Sequence, residues 1–115
     1  MKKNTKIYLF SALIIIAIIV LIYFIKNYNS EELTESQARC ISEKSIVYSQ
    51  TGCHHCIAQK KKLGNFTSFF NIIECDKEPE KCSEVGIRYT PTWIINQKKY
   101  EGLQTIKQLK ELTGC

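Results

Sequence analysis

Ser45-Ile46-Val47-Tyr48-Ser49-Gln50-Thr51-Gly52-Cys53-His54-His55-Cys56 is the stretch that decides the fold. Ser45 to Ser49 is a β-branched, apolar run and predicts a buried strand. Gln50-Thr51-Gly52 is a turn. From Cys53 a helical pattern runs to about Leu63, where Gly64-Asn65 closes it. A strand that turns directly into a helix opens a βαβ unit. That connection sets the helix N-terminus at the end of the first strand, the sheet edge that reaction sites favour.

Downstream, Phe69 to Glu74 reads as a second strand. Glu78-Pro79-Glu80 begins a helix with Pro79 near its first position, running through Cys82 and Val85 to Gly86. Ile87 to Thr90 is a connector. Thr92 to Ile95 is a third strand, and Asn96-Gln97 turns it into a fourth at Lys98 to Glu101, which Gly102 breaks. Thr105 caps a final helix with Ile106, Leu109 and Leu112 on one face. Upstream, Thr34-Glu35-Ser36-Gln37 fits a capping box and predicts a helix from about Glu35 to Ser42. The order is helix, β, α, β, α, β, β, α. It requires a parallel pair followed by an antiparallel pair: an α/β domain with a mixed four-stranded sheet flanked by helices.

Before this domain, Ile7 to Ile25 holds nineteen positions without a charged side chain. As a helix that is ~28 Å, close to the hydrocarbon thickness of a bilayer. The run exceeds the ~7–15 residues of a cleaved signal core, and Lys26-Asn27-Tyr28-Asn29-Ser30 offers no Ala-x-Ala site. The expectation is an uncleaved anchor over residues 1–26, a polar tether over 27–33 and the domain over 34–115. Lys2, Lys3 and Lys6 precede the span and Glu31 and Glu32 follow it, which keeps the N-terminus cytoplasmic and exports the rest. Tyr8, Tyr23 and Tyr28 stand where interfacial aromatics are expected.

The net charge of +5 belongs mostly to that anchor. From Asn27 onward twelve basic residues face eleven acidic ones, a net of +1. No basic stripe interleaved with aromatics appears, so nucleic acid is not an expected partner. Lys60-Lys61-Lys62 reads as a solvated helix face. Asn65-Phe66-Thr67 has the form of a glycosylation sequon. All six cysteines (Cys40, Cys53, Cys56, Cys75, Cys82 and Cys115) lie in the exported part, as an oxidising compartment allows.

Cys53 and Cys56 carry the chemistry. Their spacing lets two sulfurs on one helical turn bond to each other. A thiolate at a helix start meets the positive dipole end and unpaired N–H groups, and such sites lower a cysteine pKa from ~8.5 to ~3.5–7.5. Cys53 is the expected nucleophile, and Cys56, one turn in, the shielded resolving thiol. His54 and His55 can stabilise the thiolate as cations or donors, which favours the reduced protein and makes the disulfide an oxidant. Zinc or copper held by Cys53, His54, His55 and Cys56 is an alternative. However, adjacent histidines on one turn do not readily join both sulfurs around one ion, and zinc sites draw ligands from two segments. Haem attachment needs a histidine where Ile57 stands. A purely structural disulfide is the remaining alternative. The expected chemistry uses no cofactor and no metal. Thr90-Pro91 precedes the third strand; the bond there is either cis or that of an ordinary loop proline opening an edge strand.

Together, Tyr48 to Cys56, Gln59-Lys60, Cys75, Cys82, Gly86 to Asn96 and Tyr100-Glu101-Gly102 resemble the thioredoxin-like domain of bacterial vitamin K epoxide reductase (VKOR) homologues and their free-standing DsbA-like partners. The resemblance covers roughly Ala38 to Gly114. It implies a thioredoxin fold, Cys53 and Cys56 as the redox pair, and Thr90-Pro91 as a substrate-facing cis-proline loop. It also implies a role: oxidising the thiols of secreted or membrane proteins and passing the electrons to a VKOR-like or DsbB-like membrane quinone reductase. A thiol–disulfide reductase or isomerase is the alternative within the same chemistry. His54 stands where the family has proline. The four-helix quinone-reducing portion is absent, so a separate membrane partner is implied. Cys75 and Cys82 match the family's second cysteine pair, read as a structural disulfide; closing that short charged loop stabilises by ~2–3 kcal/mol on the chain-entropy model. For Cys40 and Cys115, mutual pairing is one arrangement, and nothing in the sequence fixes its geometry.

Overall fold

The computed structural model of the chain describes residues 2–28 and 32–115. Residues 29–31 of the expected tether, and the side chain of Tyr28, lie outside the described residues. The chain divides into two compact units, Met1–Glu31 and Glu32–Cys115. The first is a single helix, α1 (Lys2–Tyr28). Its Lys2–Asn27 portion is long and apolar enough to cross a membrane, with a mean hydropathy of 2.9.

The second unit contains α2 (Glu35–Glu43), β1 (Ser45–Ser49), α3 (His54–Leu63), β2 (Asn71–Glu74), α4 (Pro79–Glu84), β3 (Thr92–Ile95), β4 (Lys98–Glu101) and α5 (Ile106–Thr113). The sheet order is β2-β1-β3-β4. β1 pairs parallel with β2 and antiparallel with β3, and β3 pairs antiparallel with β4. This is the mixed four-stranded sheet that the alternation of elements requires. Asn96 and Gln97 take φ of 51° and 66°, the left-handed pair that a two-residue hairpin needs.

Strand alternation assigns the two faces. Val47, Trp93 and Ile95 point to one side and meet Leu63 of α3, Ala38 and Ile41 of α2, and Ile106 and Leu109 of α5. Tyr48 and Ile73 point to the other, where Cys82 of α4 covers them. Trp93 is fully buried, edge-on to Phe70 with ring centroids 5.8 Å apart. Leu33, placed in the tether by its neighbours' composition, is buried in the first core. It directly precedes the capping box of α2, in which Gln37 N–H donates to Thr34 Oγ1 at 3.3 Å and Thr34 N–H to Gln37 Oε1 at 3.1 Å. An apolar residue just before the N-cap packing toward the fourth helical position is a hydrophobic staple, here Leu33 toward Ala38.

Two boundaries differ from the sequence reading: α4 ends at Glu84 rather than running to Gly86, and β2 starts late. The second strand begins at Asn71, not Phe69. A 3₁₀ turn over Gly64–Phe69 takes the intervening residues. Thr67 Oγ1 bonds to the carbonyls of Lys60 (3.1 Å) and Gly64 (2.7 Å), so it takes up carbonyls at the end of α3. Phe69 lies under the Arg39 guanidinium, 4.6 Å from its ring centroid. Lys60 is not merely solvated: it bonds to Glu74 on β2, while Lys61 and Lys62 are exposed.

Candidate active site

Cys53 and Cys56 sit where β1 hands over to α3. Gly52, at φ +78°, makes the bend that a side chain would resist. Cys53 N–H donates to Gln50 O at 3.2 Å, closing the turn. The turn is also held from behind. Thr51 N–H donates to Asp76 Oδ1 at 3.0 Å and Cys75 N–H to Ser49 O at 2.8 Å. Both partners lie at the start of the loop that the Cys75–Cys82 disulfide closes. Asp76 is correspondingly held below the ordinary carboxylate range, first by the Thr51 backbone bond.

Cys53 is the N-cap of α3, and its sulfur accepts the Cys56 N–H at 3.3 Å. Its other neighbour comes from the far side of the sheet edge. The Thr90 hydroxyl donates to Cys53 Sγ at 3.6 Å, and the Cys53 thiol reaches Thr90 O at 3.4 Å. Thr90-Pro91 is cis. Pro91 is buried, and its carbonyl accepts Gly102 N–H at 2.7 Å, which ties the loop to the end of β4. Cys53 and Cys56 are free thiols in this structure, the first half-exposed and the second 2% exposed.

Their acidities diverge for physical reasons. At Cys53, burial is the largest single influence and pushes the thiol up. Donation from the Cys56 and Thr90 side chains and from the Cys56 and His55 backbone N–H groups outweighs it, so the net value falls below that of an ordinary thiol. At Cys56, burial dominates and raises the thiol, and its bond to the Cys53 sulfur holds the proton further. The arrangement supplies one accessible thiolate and one protected thiol, as attack and resolution require.

Of the two roles expected of the histidines, cation or hydrogen-bond donor, the donor role is not seen. His54 and His55 are exposed on the first turn of α3, and neither imidazole bonds to the Cys53 sulfur. The His55 contribution is its backbone N–H. Among the described residues no group of three His, Cys, Asp or Glu side chains is placed to hold a metal ion. The other four cysteines form two disulfides, Cys75–Cys82 and Cys40–Cys115, with Cα atoms 5.7 and 5.9 Å apart.

Sequence reasoning singled out one organising residue only as part of the resemblance and gave it no role. Gln59, 1% exposed, accepts from Trp93 Nε1 (3.0 Å) and Gln104 N–H (2.8 Å) and donates to Gln104 O (3.1 Å). It locks α3 to β3 and to the segment before α5. Its position one turn past Cys56, on a helix face that must be buried, was the available signal.

No family model matches the sequence. A thiol-disulfide oxidoreductase of Arabidopsis thaliana, LTO1, is 32% identical over 77 residues, which cover 59% of this chain and 20% of that protein. The chain thus spans about a fifth of the length of that relative. Among solved structures, the NTD_N/C domain of the alkylhydroperoxide reductase AhpF from Enterococcus faecalis superposes with a TM-score of 0.50 at 17% identity, over 72% of this chain and 45% of that one. The C503A mutant of the same AhpF subunit gives the same values, a TM-score of 0.50 at 17% identity. With the sheet order above, the fold is thioredoxin-like.

Proposed function

We propose that this chain is a membrane-anchored protein thiol–disulfide oxidoreductase that oxidises substrate thiols outside the cytoplasm. The observation that carries the reading is the set of donors around Cys53, which favours its thiolate and hence the reduced dithiol. A protein whose reduced state is favoured surrenders its disulfide readily, which is the property of an oxidant. The 32% identity to a thiol-disulfide oxidoreductase supports the same chemistry.

In the cycle, a substrate thiolate attacks Cys53 Sγ of the Cys53–Cys56 disulfide. Cys56 leaves with the bond electrons, and a mixed disulfide remains on Cys53. A second substrate thiolate then attacks the substrate sulfur and releases Cys53 as a thiolate. Two electrons now reside on the dithiol. A VKOR-like or DsbB-like membrane quinone reductase is the acceptor that returns it to the disulfide. The apolar α1 supports tethering beside such a partner, and the lysines in its first turns support an exported domain. Thr90 and Pro91 form the wall against which a substrate peptide lies, and Cys75–Cys82 stays a structural bond.

Equilibration with glutathione tests the direction of flow. An oxidase has a potential well above thioredoxin's ~−270 mV; a value near or below that sinks the oxidase and leaves a reductase. Cys56→Ala accumulates substrate adducts through Cys53, and their absence counts against the oxidoreductase as a whole.

A further inference from the structure

Beside Cys56 lies a polar arrangement that stability does not explain. Ser49, the last residue of β1, is 1% exposed, and its Oγ completes no hydrogen bond in the reduced protein. A buried hydroxyl without a partner pays its desolvation with nothing in return. Its register partner on β2 is Glu74, whose Oε1 accepts from Lys60 Nζ and whose Oε2 is likewise buried and unpartnered. Among the described residues these are the two buried side-chain oxygens left in that state. Register partners in a parallel ladder stand about 4.8 Å apart and point to the same face. That face is the one α3 covers, since Lys60 belongs to α3 and follows Cys56 by one turn. The preceding pair on the same face, Val47 and Ile72, is apolar, so the polarity is confined to the edge nearest the dithiol. Ser49 is also close enough to Cys56 to draw that thiol down, after the Gln50 backbone, against its burial, although its Oγ completes no bond to the sulfur.

We propose that Ser49 is a catalytic residue of the Cys56 half-reaction: its hydroxyl turns to the Cys56 sulfur as that sulfur ionises and relays the proton to Glu74, which Lys60 positions. The inference deepens the oxidoreductase reading and rests on it. In regeneration, Cys53 is joined to a sulfur of the acceptor. Cys56 Sγ attacks Cys53 Sγ; the Cys53–Cys56 bond forms, the Cys53–acceptor bond breaks, and the acceptor sulfur leaves as a thiolate with the electron pair. The Cys56 proton passes to Ser49 Oγ as the Ser49 proton passes to Glu74 Oε2 and from there to solvent. Substrate oxidation runs the same path in reverse, delivering a proton to Cys56 as it leaves.

The test uses the whole 115-residue chain in detergent with oxidised glutathione as acceptor, acid-quenched and followed by mass. Formation of the Cys53–glutathione adduct reports the first step, and its conversion to the intramolecular disulfide reports the second. Ser49→Ala and Glu74→Gln slow conversion by at least roughly tenfold, a threshold set below the ~10²–10⁴ of general acid–base catalysis, while adduct formation stays within about twofold. Ser49→Thr, which keeps the hydroxyl, restores conversion. Ser49→Ala is at least as stable as the parent, because the deleted hydroxyl has no partner. Conversion at the parental rate in folded Ser49→Ala overturns the relay and leaves the oxidoreductase standing. Failure of the parent chain to form any adduct overturns both.

Discussion

At the Cys53 sulfur, partial burial and hydrogen bonding oppose each other, and the count of donors decides the outcome. A depressed thiol stays ionised to lower pH than a free cysteine. The iodoacetamide rate of a Cys56→Ser variant should therefore hold up as pH falls through the ordinary thiol range, and drop only below the depressed pKa. In a Cys53→Ser variant, the buried Cys56 should stay unreactive until pH exceeds the ordinary value. The same signs apply to folding of the reduced protein. The Cys53 contribution is present above its unfolded pKa and is lost as pH falls through the folded one. The Cys56 contribution is present below its unfolded pKa and is lost as pH rises through the folded one. Among individual donors, Thr90 outranks the histidines because its hydroxyl reaches the sulfur and the imidazoles do not. Thr90→Val should make the potential more negative by roughly 20 mV, for a bond worth about 1 kcal/mol. His54→Ala removes no bond to the Cys53 sulfur and should shift the potential less; redox equilibration of the two variants ranks them. The Cys53–Cys56 pair was legible because its spacing carries meaning in one dimension, whereas the residues alone left the Thr90–Pro91 bond open and only the resemblance implied the cis form that the structure has. The Thr90 hydrogen bond to Cys53 was not legible, because it joins positions 37 apart.

Elements were legible where a local rule fixes an end. Thr34 and Thr105 both head reciprocal capping boxes, with Gln37 and Gln108, and β1 and β3 follow their apolar runs. Thr105→Ala should cost about 1 kcal/mol, read from the midpoint of denaturant unfolding. The expected strand start at Phe69 failed for an equally local reason. Phe69 and Phe70 are apolar enough for a strand, but a threonine two positions earlier turns back to the end of α3 and keeps the chain in a 3₁₀ turn. How α3 is fastened could not be read from propensity at all. Gln59 bonds residues 34 and 45 positions away. Gln59→Leu fills similar space but strands the Trp93 and Gln104 N–H groups, so it should destabilise by about 2–4 kcal/mol. Gln59→Glu, which keeps the acceptor, should recover part of that loss; thermal unfolding of the two variants ranks them.

For the molecule as a whole, the two disulfides divide the work by the length of chain each closes and by what each touches. Composition marks the cysteines as a framework but leaves Cys40 and Cys115 unassigned, because their meeting depends on α2 lying beside the end of α5, a consequence of the finished core. That bond spans 75 positions, against seven for Cys75–Cys82. On the chain-entropy model the long closure stabilises by about 4.5 kcal/mol and the short one by about 2.5 kcal/mol. Cys40→Ala/Cys115→Ala should therefore lower the guanidinium midpoint more than Cys75→Ala/Cys82→Ala. Their effects on Cys53 should run the other way. The short loop begins with the Cys75 N–H and Asp76 carboxylate that hold Ser49 and Thr51, so freeing it loosens the turn that presents Cys53. Removal of the long bond leaves those contacts in place. Iodoacetamide rates at Cys53, measured beside the unfolding midpoints, should thus change in the more stable of the two variants and not in the less stable one. If both observables moved together, reactivity would simply track global stability, and the Asp76–Thr51 brace would have no separate part in presenting the thiolate.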